Sequence, residues 1–403
     1  MAQTKSYIAA RLSAFPNWPL WFYVALAAAV AVASRQVPVL GTDSVASIIS
    51  RTSHILVFLV AVTIVADLCS AAGLFDAVGR YLARHSGGRI AVLFFGVSAL
   101  GLFTTTVMSL DTTAVLLTPV VIRMAKNIRV SPLPFAMAAI WLANAGSLIL
   151  PVSNLTNLLA MHRLQATPLE YLSVMWLPGL IAALVPVALL AIGYRKTLLR
   201  PYDPPLKGAP RDPILVRICG AVILAMLPAI VAGIPVEGIA VIALTVLFVV
   251  FAVRDRSALG WHLLPWRLIV LTVSLFIAMA GLSKVGAESL VASALGSSDD
   301  LVGLLRTAGV SALVANVFNN LPAYLLLETA LPAEASDQLF GVLIGVNAGP
   351  GILMHGSLAT LLWWDRCKKE GVDVTWRYFL AFGLVCVPLT LVSSVFALWF
   401  VLR

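Results

Sequence analysis

NAGPGILMHGSLATLL, residues 347–362, reads as a second copy of NAGSLILPVSNLTNLL, residues 144–159, 203 positions earlier. Both begin Asn-Ala-Gly, carry helix-breaking glycine or proline in the middle, resume with small polar residues and end in Leu-Leu. Glycine weakens a helix by leaving the backbone unrestrained, and proline by lacking an N–H donor. Each copy is therefore read as an apolar helix interrupted by hydrogen-bonding residues. Those residues are Ser153, Asn154, Thr156 and Asn157 in the first copy and Ser357 and Thr360 in the second. Upstream, SLDTTAVLLT (109–118) aligns with FNNLPAYLLL (318–327) at an offset of 209, so the two elements occur in the same order in both halves. Interrupted apolar segments at matching places in two halves point to a secondary transporter with its binding site near the bilayer midplane.

Composition agrees. The 403 residues are 61% hydrophobic and 11% charged, with a mean hydropathy of +0.99, against roughly 25% charged residues in an ordinary soluble domain. The expected fold class is an all-α polytopic membrane protein made of two inverted repeats, each with a re-entrant hairpin and a broken transmembrane helix. The length supplies about ten spans of ~20 residues, so residues 1–403 form one transmembrane domain with no soluble domain, and no cleaved leader is expected. The net charge of +9 is loop charge that sets orientation, not a nucleic-acid footprint. Cys69, Cys219, Cys367 and Cys386 are scattered without CxxC spacing and are read as isolated lipid-embedded or loop thiols, with no disulfide framework or zinc site.

A first span covers 19–34 and a long apolar run covers 54–81, followed by Arg80, Arg84, His85 and Arg89 on the cytoplasmic side together with the N-terminus. Two short apolar pieces, 90–107 and 112–124, return to a basic flank as a re-entrant hairpin. The broken segment then runs over 132–161 and a span over 171–193. The first repeat is set at 45–198, a proline-rich basic cytoplasmic linker at 199–213 and two linking spans at 214–256. The second repeat, 265–403, holds a span over 268–295, a hairpin over 301–331, a broken segment over 340–364 and a last span over 378–402. Counting crossings places the two hairpins on opposite sides of the membrane.

Intramembrane acids are functional candidates because an uncompensated charge at the bilayer centre costs at least ~2.5–3.5 kcal/mol. Asp111, at the first hairpin tip, and Asp67, in the middle of its span, are the candidates for proton coupling. Against this, Asp111 is also a good helix cap, and Asp67 could be a structural partner, with Lys284 one conceivable mate. The substrate-binding candidates are Asn144, Ser153, Asn154, Thr156 and Asn157 in the first half and Asn319, Asn320, Asn347, Ser357 and Thr360 in the second, with Ser147 beside them. Amides and hydroxyls next to freed backbone groups suit a small polar solute or Na⁺, though small polar residues also serve as interhelical glue. His355 is read as a cavity-facing polar group, Glu288 and Glu328 as solvated span-end acids, Arg163 and Arg306 as snorkelling cations, and Trp18, Trp21, Trp176, Trp363, Trp364 and Trp376 as an interfacial belt. The chain has no Walker-type GxxxxGK[ST] and no nucleophile–base pair or metal cluster, so neither an enzyme nor a bound cofactor is expected.

At these same residues the sequence resembles the arsenite efflux permease family of the ion transporter superfamily. The resemblance rests on LDTTAVLLTPVVI (110–122), ANAGSLILPVSNLTNLL (143–159), NNLPAYLLLE (319–328) and GVNAGPGILMHGSLATLLWW (345–364), in order along nearly the whole chain. Leu110 stands where that family usually has asparagine, and Leu353-Met354-His355 where it usually has Thr-Pro-Ile. The resemblance implies a multi-pass protein of the inner (plasma) membrane that exports arsenite, and antimonite, in exchange for protons, alone or with an ATPase subunit. It also implies a homodimer and a core that moves against a scaffold. A cavity of amides and hydroxyls fits arsenous acid, which is neutral near pH 7 and presents three OH groups. The alternative is a Na⁺/H⁺ antiporter or a sodium-coupled anion carrier; a dicarboxylate carrier would want cationic groups that the broken segments lack.

Overall fold

A computed structural model describes residues 42–204, 210–266, 269–270, 272 and 288–403. Within them the chain is helical, and the single extended backbone pairing joins Arg89 to Pro201. Among the described residues six helices are long and apolar enough to cross a membrane, the first arms of the two expected hairpins (Ile90–Val107 and Leu301–Phe318) included, or seven if one bent pair counts as a span. The expected span over 19–34 with Trp18 and Trp21, most of the expected span over 268–295, and Lys284 lie outside the described residues.

The apolar run over 54–81 is not one helix. It belongs to α1 (Thr42–Ala71) and α2 (Leu74–His85), which are bent by 57° relative to one another. The bend sits at Gly73, whose φ of 80° is costly for a side-chain-bearing residue. α2 is amphipathic, burying Phe75, Gly79 and Ala83 at helical spacing.

The first hairpin comprises α3 (Ile90–Val107), a single turn at Leu110–Thr112, a π-helical turn at Thr113–Leu117 and α4 (Thr118–Asn127). Pro119 accounts for the π turn. It cannot donate into the ladder, and the chain slips by one residue so that Thr118 sends both its N–H and, at 3.2 Å, its hydroxyl to the Thr113 carbonyl.

The first broken segment is α5 (Leu133–Ala145), short 3₁₀ turns at Gly146–Leu148 and Pro151–Ser153, and α6 (Leu155–Leu164). After α7 (Pro168–Gly193) come α8 (Pro213–Val231) and α9 (Val236–Arg254). These two are tied outside the apolar region by Arg254 on Asp212 at 2.8 Å, and the guanidinium holds that carboxyl below the usual carboxylate range. The second half follows as α10 (Glu288–Leu295), a hairpin of α11 (Leu301–Phe318) and α12 (Asn320–Ala330), then α13 (Ser336–Ala348). 3₁₀ turns at Gly349–Gly351 and Met354–Gly356 lead to α14 (Leu358–Lys369) and α15 (Trp376–Leu402).

The two breaks have matching backbones. Leu150 (φ −122°, ψ 151°) corresponds to Leu353 (−112°, 140°), and Asn154 (−149°, 143°) to Ser357 (−141°, 139°). α5 and α13 are buried almost end to end, as their all-round apolar sequences require. Each second arm crosses to the other half: α6 rests against α12, while α14 rests against α4 and the π turn. α7 and α15 pack along one another and back the breaks through glycines. A Cβ on Gly179 would stand 2.9 Å from the Ile149 nitrogen, and one on Gly383 would stand 2.2 Å from the Gly351 oxygen. Trp363 does not join an interfacial belt; it is fully buried and donates to the Ala136 carbonyl at 2.8 Å, joining α14 to α5.

Candidate functional site

Where a helix breaks, carbonyls and N–H groups lose their partners and must find others. In the first break Asn157 supplies them, donating from Nδ2 to the carbonyls of Ser147 (2.7 Å) and Leu150 (3.1 Å). Its counterpart in the second half is Thr360, whose hydroxyl carries one proton and has a shorter reach. There Asn316 takes over from the neighbouring hairpin helix α11, donating to the Gly349 carbonyl (2.8 Å) and accepting from the Leu353 N–H (2.9 Å).

The two breaks are fastened together by side chains. Asn347 Oδ1 accepts from Asn154 Nδ2 (2.8 Å) and Thr156 Oγ1 (2.9 Å), and Asn347 Nδ2 donates to Asn157 Oδ1 (2.8 Å). All four residues are buried. The pseudo-equivalent bond of the other half is also present, from Asn144 Nδ2 to Thr360 Oγ1 at 3.1 Å.

The correspondence then fails at one place. Asn154 caps α6, accepting from the Thr156 N–H at 3.3 Å, and reaches across to Asn347. Ser357, with nearly the same backbone, makes no such cap. Its Oγ and the Asn144 Oδ1 that would answer it are both buried without a hydrogen-bond partner. A buried polar atom left unpaired costs about 1–3 kcal/mol, so this end of the cluster holds hydrogen-bonding capacity that the protein does not use on itself.

The hairpin tips border the breaks. Ser153 Oγ donates to the Thr106 carbonyl at 2.9 Å, and the Thr105 and Thr113 hydroxyls meet at 2.8 Å across the first tip. Ser109, not Asp111, caps the tip, accepting from the Thr112 N–H at 3.2 Å. Asp111 is thereby left half-buried, with no hydrogen bond or ion pair among the described residues. At the second tip Asn319 holds φ at 81°, a region few non-glycine residues occupy, and donates to the His355 carbonyl at 3.0 Å. Asn320 accepts from the Leu321 N–H at 2.9 Å. Asp67 is buried on α1, which touches both α6 and the π turn.

The family described as citrate transporter matches residues 18–349. The chain belongs to that family. It is 28% identical over 349 residues to the arsenical pump membrane protein of Escherichia coli K12, covering 81% of each chain. To a 46 kDa membrane protein of Mycobacterium leprae it is 23% identical, covering 86% of each. Among solved structures the YdaH transporter of Alcanivorax borkumensis superposes with a TM-score of 0.52 at 14% identity, over 97% of both chains, a likeness of fold. This citrate transporter family member is a multi-pass helical membrane transporter and not an enzyme.

Of the residues singled out in the sequence, Asn154, Thr156, Asn157 and Asn347 come together in one cluster, and Asn144, Thr360 and Ser357 form its second end. Ser153 and Asn319 instead pin hairpins to breaks. His355 is exposed, and Glu328 is buried where a solvated acid was expected. Arg163 does not snorkel; it donates to the carbonyls of Glu328, Leu331 (2.8 Å) and Pro332 (2.8 Å), closing the end of α12. Arg306 does the same for α10 through Ala294 and Ser293. Asn316 escaped sequence reading because it sits in a continuous apolar helix with no break to mark it. Its signal was that a lone asparagine inside a span is costly unless it is used.

Proposed function

We propose that this transporter exports trivalent arsenic, as neutral arsenous acid, and antimony in its corresponding form, across the inner membrane in exchange for protons. The two halves lie in opposite membrane senses about one chamber, with the N-terminus in the cytoplasm. The observation that carries the reading is the unequal pair of clasps. Asn154 and Asn347 spend their groups on each other, whereas Ser357 Oγ and Asn144 Oδ1 remain available and buried. A hydroxyl that can donate or accept, beside an amide oxygen that accepts, suits a small solute rich in OH groups. No cation lies in either break to call for an anionic substrate.

Asp111 is the proton carrier in this reading. It lies at a hairpin tip beside the break, its neighbour Ser109 does the capping, and no cation neutralises it among the described residues. Asp67, on the helix touching α6 and the π turn, is the second acid of the pathway. The arsenical pump relatives support the choice of substrate.

The test is arsenite uptake into everted vesicles with an imposed pH gradient and with sodium varied. Uptake that follows the pH gradient and ignores sodium supports the reading. Uptake that follows sodium assigns the open oxygens to a cation, and flux insensitive to both gradients removes coupled transport.

A further inference from the structure

Two apolar spans have their polar ends side by side. α3 begins immediately after Arg89 and α7 ends at Gly193, and both are long and apolar enough to cross a membrane. Just beyond these ends the chain is sewn together by its backbone. Arg89 pairs with Pro201, the Tyr202 N–H donates to the Gly88 carbonyl at 2.8 Å, and the Tyr202 hydroxyl donates to the Ala83 carbonyl. A Cβ on Gly88 would stand 2.9 Å from the Tyr202 oxygen, so the fit is close. The helical turn at Arg195–Leu198 buries Leu198 and rests on α3. Residues 83–89 and 195–202 thus form one ordered seam where two spans reach the membrane surface.

The seam gathers Arg84 and Arg89 from one strand of chain and Arg195, Lys196 and Arg200 from the other, all exposed. None of the five has an ion pair or a side-chain hydrogen bond among the described residues, and the exposed Asp203 beside Tyr202 pairs with none of them. Cations elsewhere are engaged: Arg123 with Glu370 at 3.0 Å, Arg254 with Asp212 at 2.8 Å, Arg256 with the Ala252 carbonyl at 2.7 Å, and Lys368 over the Trp364 ring at 3.5 Å. A basic loop that only sets orientation needs no fixed backbone and no apolar company. Here Leu199, between Lys196 and Arg200, is 82% exposed, and Tyr81 and Ile192, one turn before Arg84 and Arg195, are exposed as well. Free cations level with free apolar side chains match a surface that is anionic at its head groups and apolar beneath. Guanidinium forks also fit phosphate oxygens two at a time.

We propose that this seam is a docking site for an anionic phospholipid. Its phosphate is held among Arg84, Arg89 and Arg200, with Arg195 and Lys196 adding charge, and its acyl chains lie against the exposed Val92 and Phe95 of α3 and Ile192 of α7. The bound lipid fastens the start of the linker to the junction of α2 and α3. The inference needs no particular substrate and no direction of transport, only that the seam lie at a membrane surface. It stands or falls apart from the transport proposal.

The experiment titrates the full chain in detergent with phosphatidylglycerol and reads the first lipid adduct by native mass spectrometry. A basic side chain near an anionic lipid surface contributes about fivefold in affinity, so Arg89→Gln/Arg200→Gln should weaken binding by about 25-fold. The control Lys368→Gln/Lys369→Gln removes the same charge outside the seam, and should weaken it by less than about twofold because exposed charges outside the site are screened. Equal losses in the two variants would reduce the effect to net charge and overturn the site. So would equal binding of phosphatidylcholine, or displacement of the lipid by inorganic phosphate, which would make the seam a small-anion site. A measurement on the natural chain avoids any folding defect in the variants. Amide hydrogen exchange across 83–89 and 195–202 should slow in phosphatidylglycerol nanodiscs relative to phosphatidylcholine nanodiscs, while exchange across 365–371 should not change. Equal slowing in both regions, or none at the seam, would end the proposal.

Discussion

Asn347→Ala should loosen the joint between the two broken helices far more than the matching change Asn144→Ala. Asn347 makes three cross-half hydrogen bonds, at 2.8, 2.9 and 2.8 Å, and Asn144 makes one, at 3.1 Å, with its other bond to the Ile140 carbonyl in its own helix. Interhelical hydrogen bonds within membrane proteins average about 0.6 kcal/mol, so three lost bonds set a floor of about 2 kcal/mol. Desolvation of the stranded partners raises this, since an unsatisfied buried group costs about 1–3 kcal/mol. The rise is moderated because Asn154 keeps the Ser147 hydroxyl at 3.3 Å and Thr156 keeps Asn157 at 3.4 Å. The expected loss is thus about 2–4 kcal/mol for Asn347→Ala and about 0.6 kcal/mol for Asn144→Ala. The four cysteines are all buried, so a thiol-reactive fluorophore in detergent reports unfolding directly. At roughly 2–4 °C per kcal/mol, the midpoint should drop by at least about 4 °C for the first variant and by about 1–2 °C for the second. Equal drops, or an Asn347→Ala midpoint within a degree of the natural chain, would refute the clasp.

Three further outcomes follow from the same geometry. Ser357→Ala removes a hydroxyl that holds nothing, so its stability should change by less than about 0.5 kcal/mol while KM for arsenite uptake rises; unchanged transport would show that the group is packing alone. Asp111→Asn should abolish uptake driven by a pH gradient while the protein inserts and melts normally, and unaltered proton-driven uptake would take Asp111 out of the pathway. Gly383→Ala places a Cβ 2.2 Å from the Gly351 oxygen, and overpacking of this kind costs about 1–3 kcal/mol, read as a lower melting midpoint. The control Gly309→Ala, where a Cβ meets nothing within 4 Å, should melt as the natural chain does.

The breaks were legible because their causes are local. Gly146, Pro151, Gly349 and Pro350 interrupt apolar runs, and the polar residues beside them have little other reason to lie in a span. The helix–turn–helix over 90–127 was equally readable, since Met108-Ser109-Leu110-Asp111 interrupts two apolar arms flanked by basic residues. What the sequence hid were relations between distant residues and effects that do not alter hydropathy. The π turn ahead of Pro119 shifts one hydrogen bond and leaves the apolar pattern intact. The bend at Gly73 needed a φ, and glycine alone does not announce one. Asn154 and Asn347 were each flagged, but nothing in linear order showed that they would satisfy each other and leave Asn144 and Ser357 as the open ends.

The arrangement on which the transport reading depends is the opposite sense of the two halves. Asn127→Cys, at the end of the first hairpin, and Glu334→Cys, just beyond the second, both replace exposed residues in a chain whose own thiols are buried. Labelling each with a membrane-impermeant maleimide, in intact cells and in everted vesicles, tests that sense directly. The account predicts that position 127 reacts only in everted vesicles and position 334 only in intact cells. Reaction of both positions from the same side would contradict it.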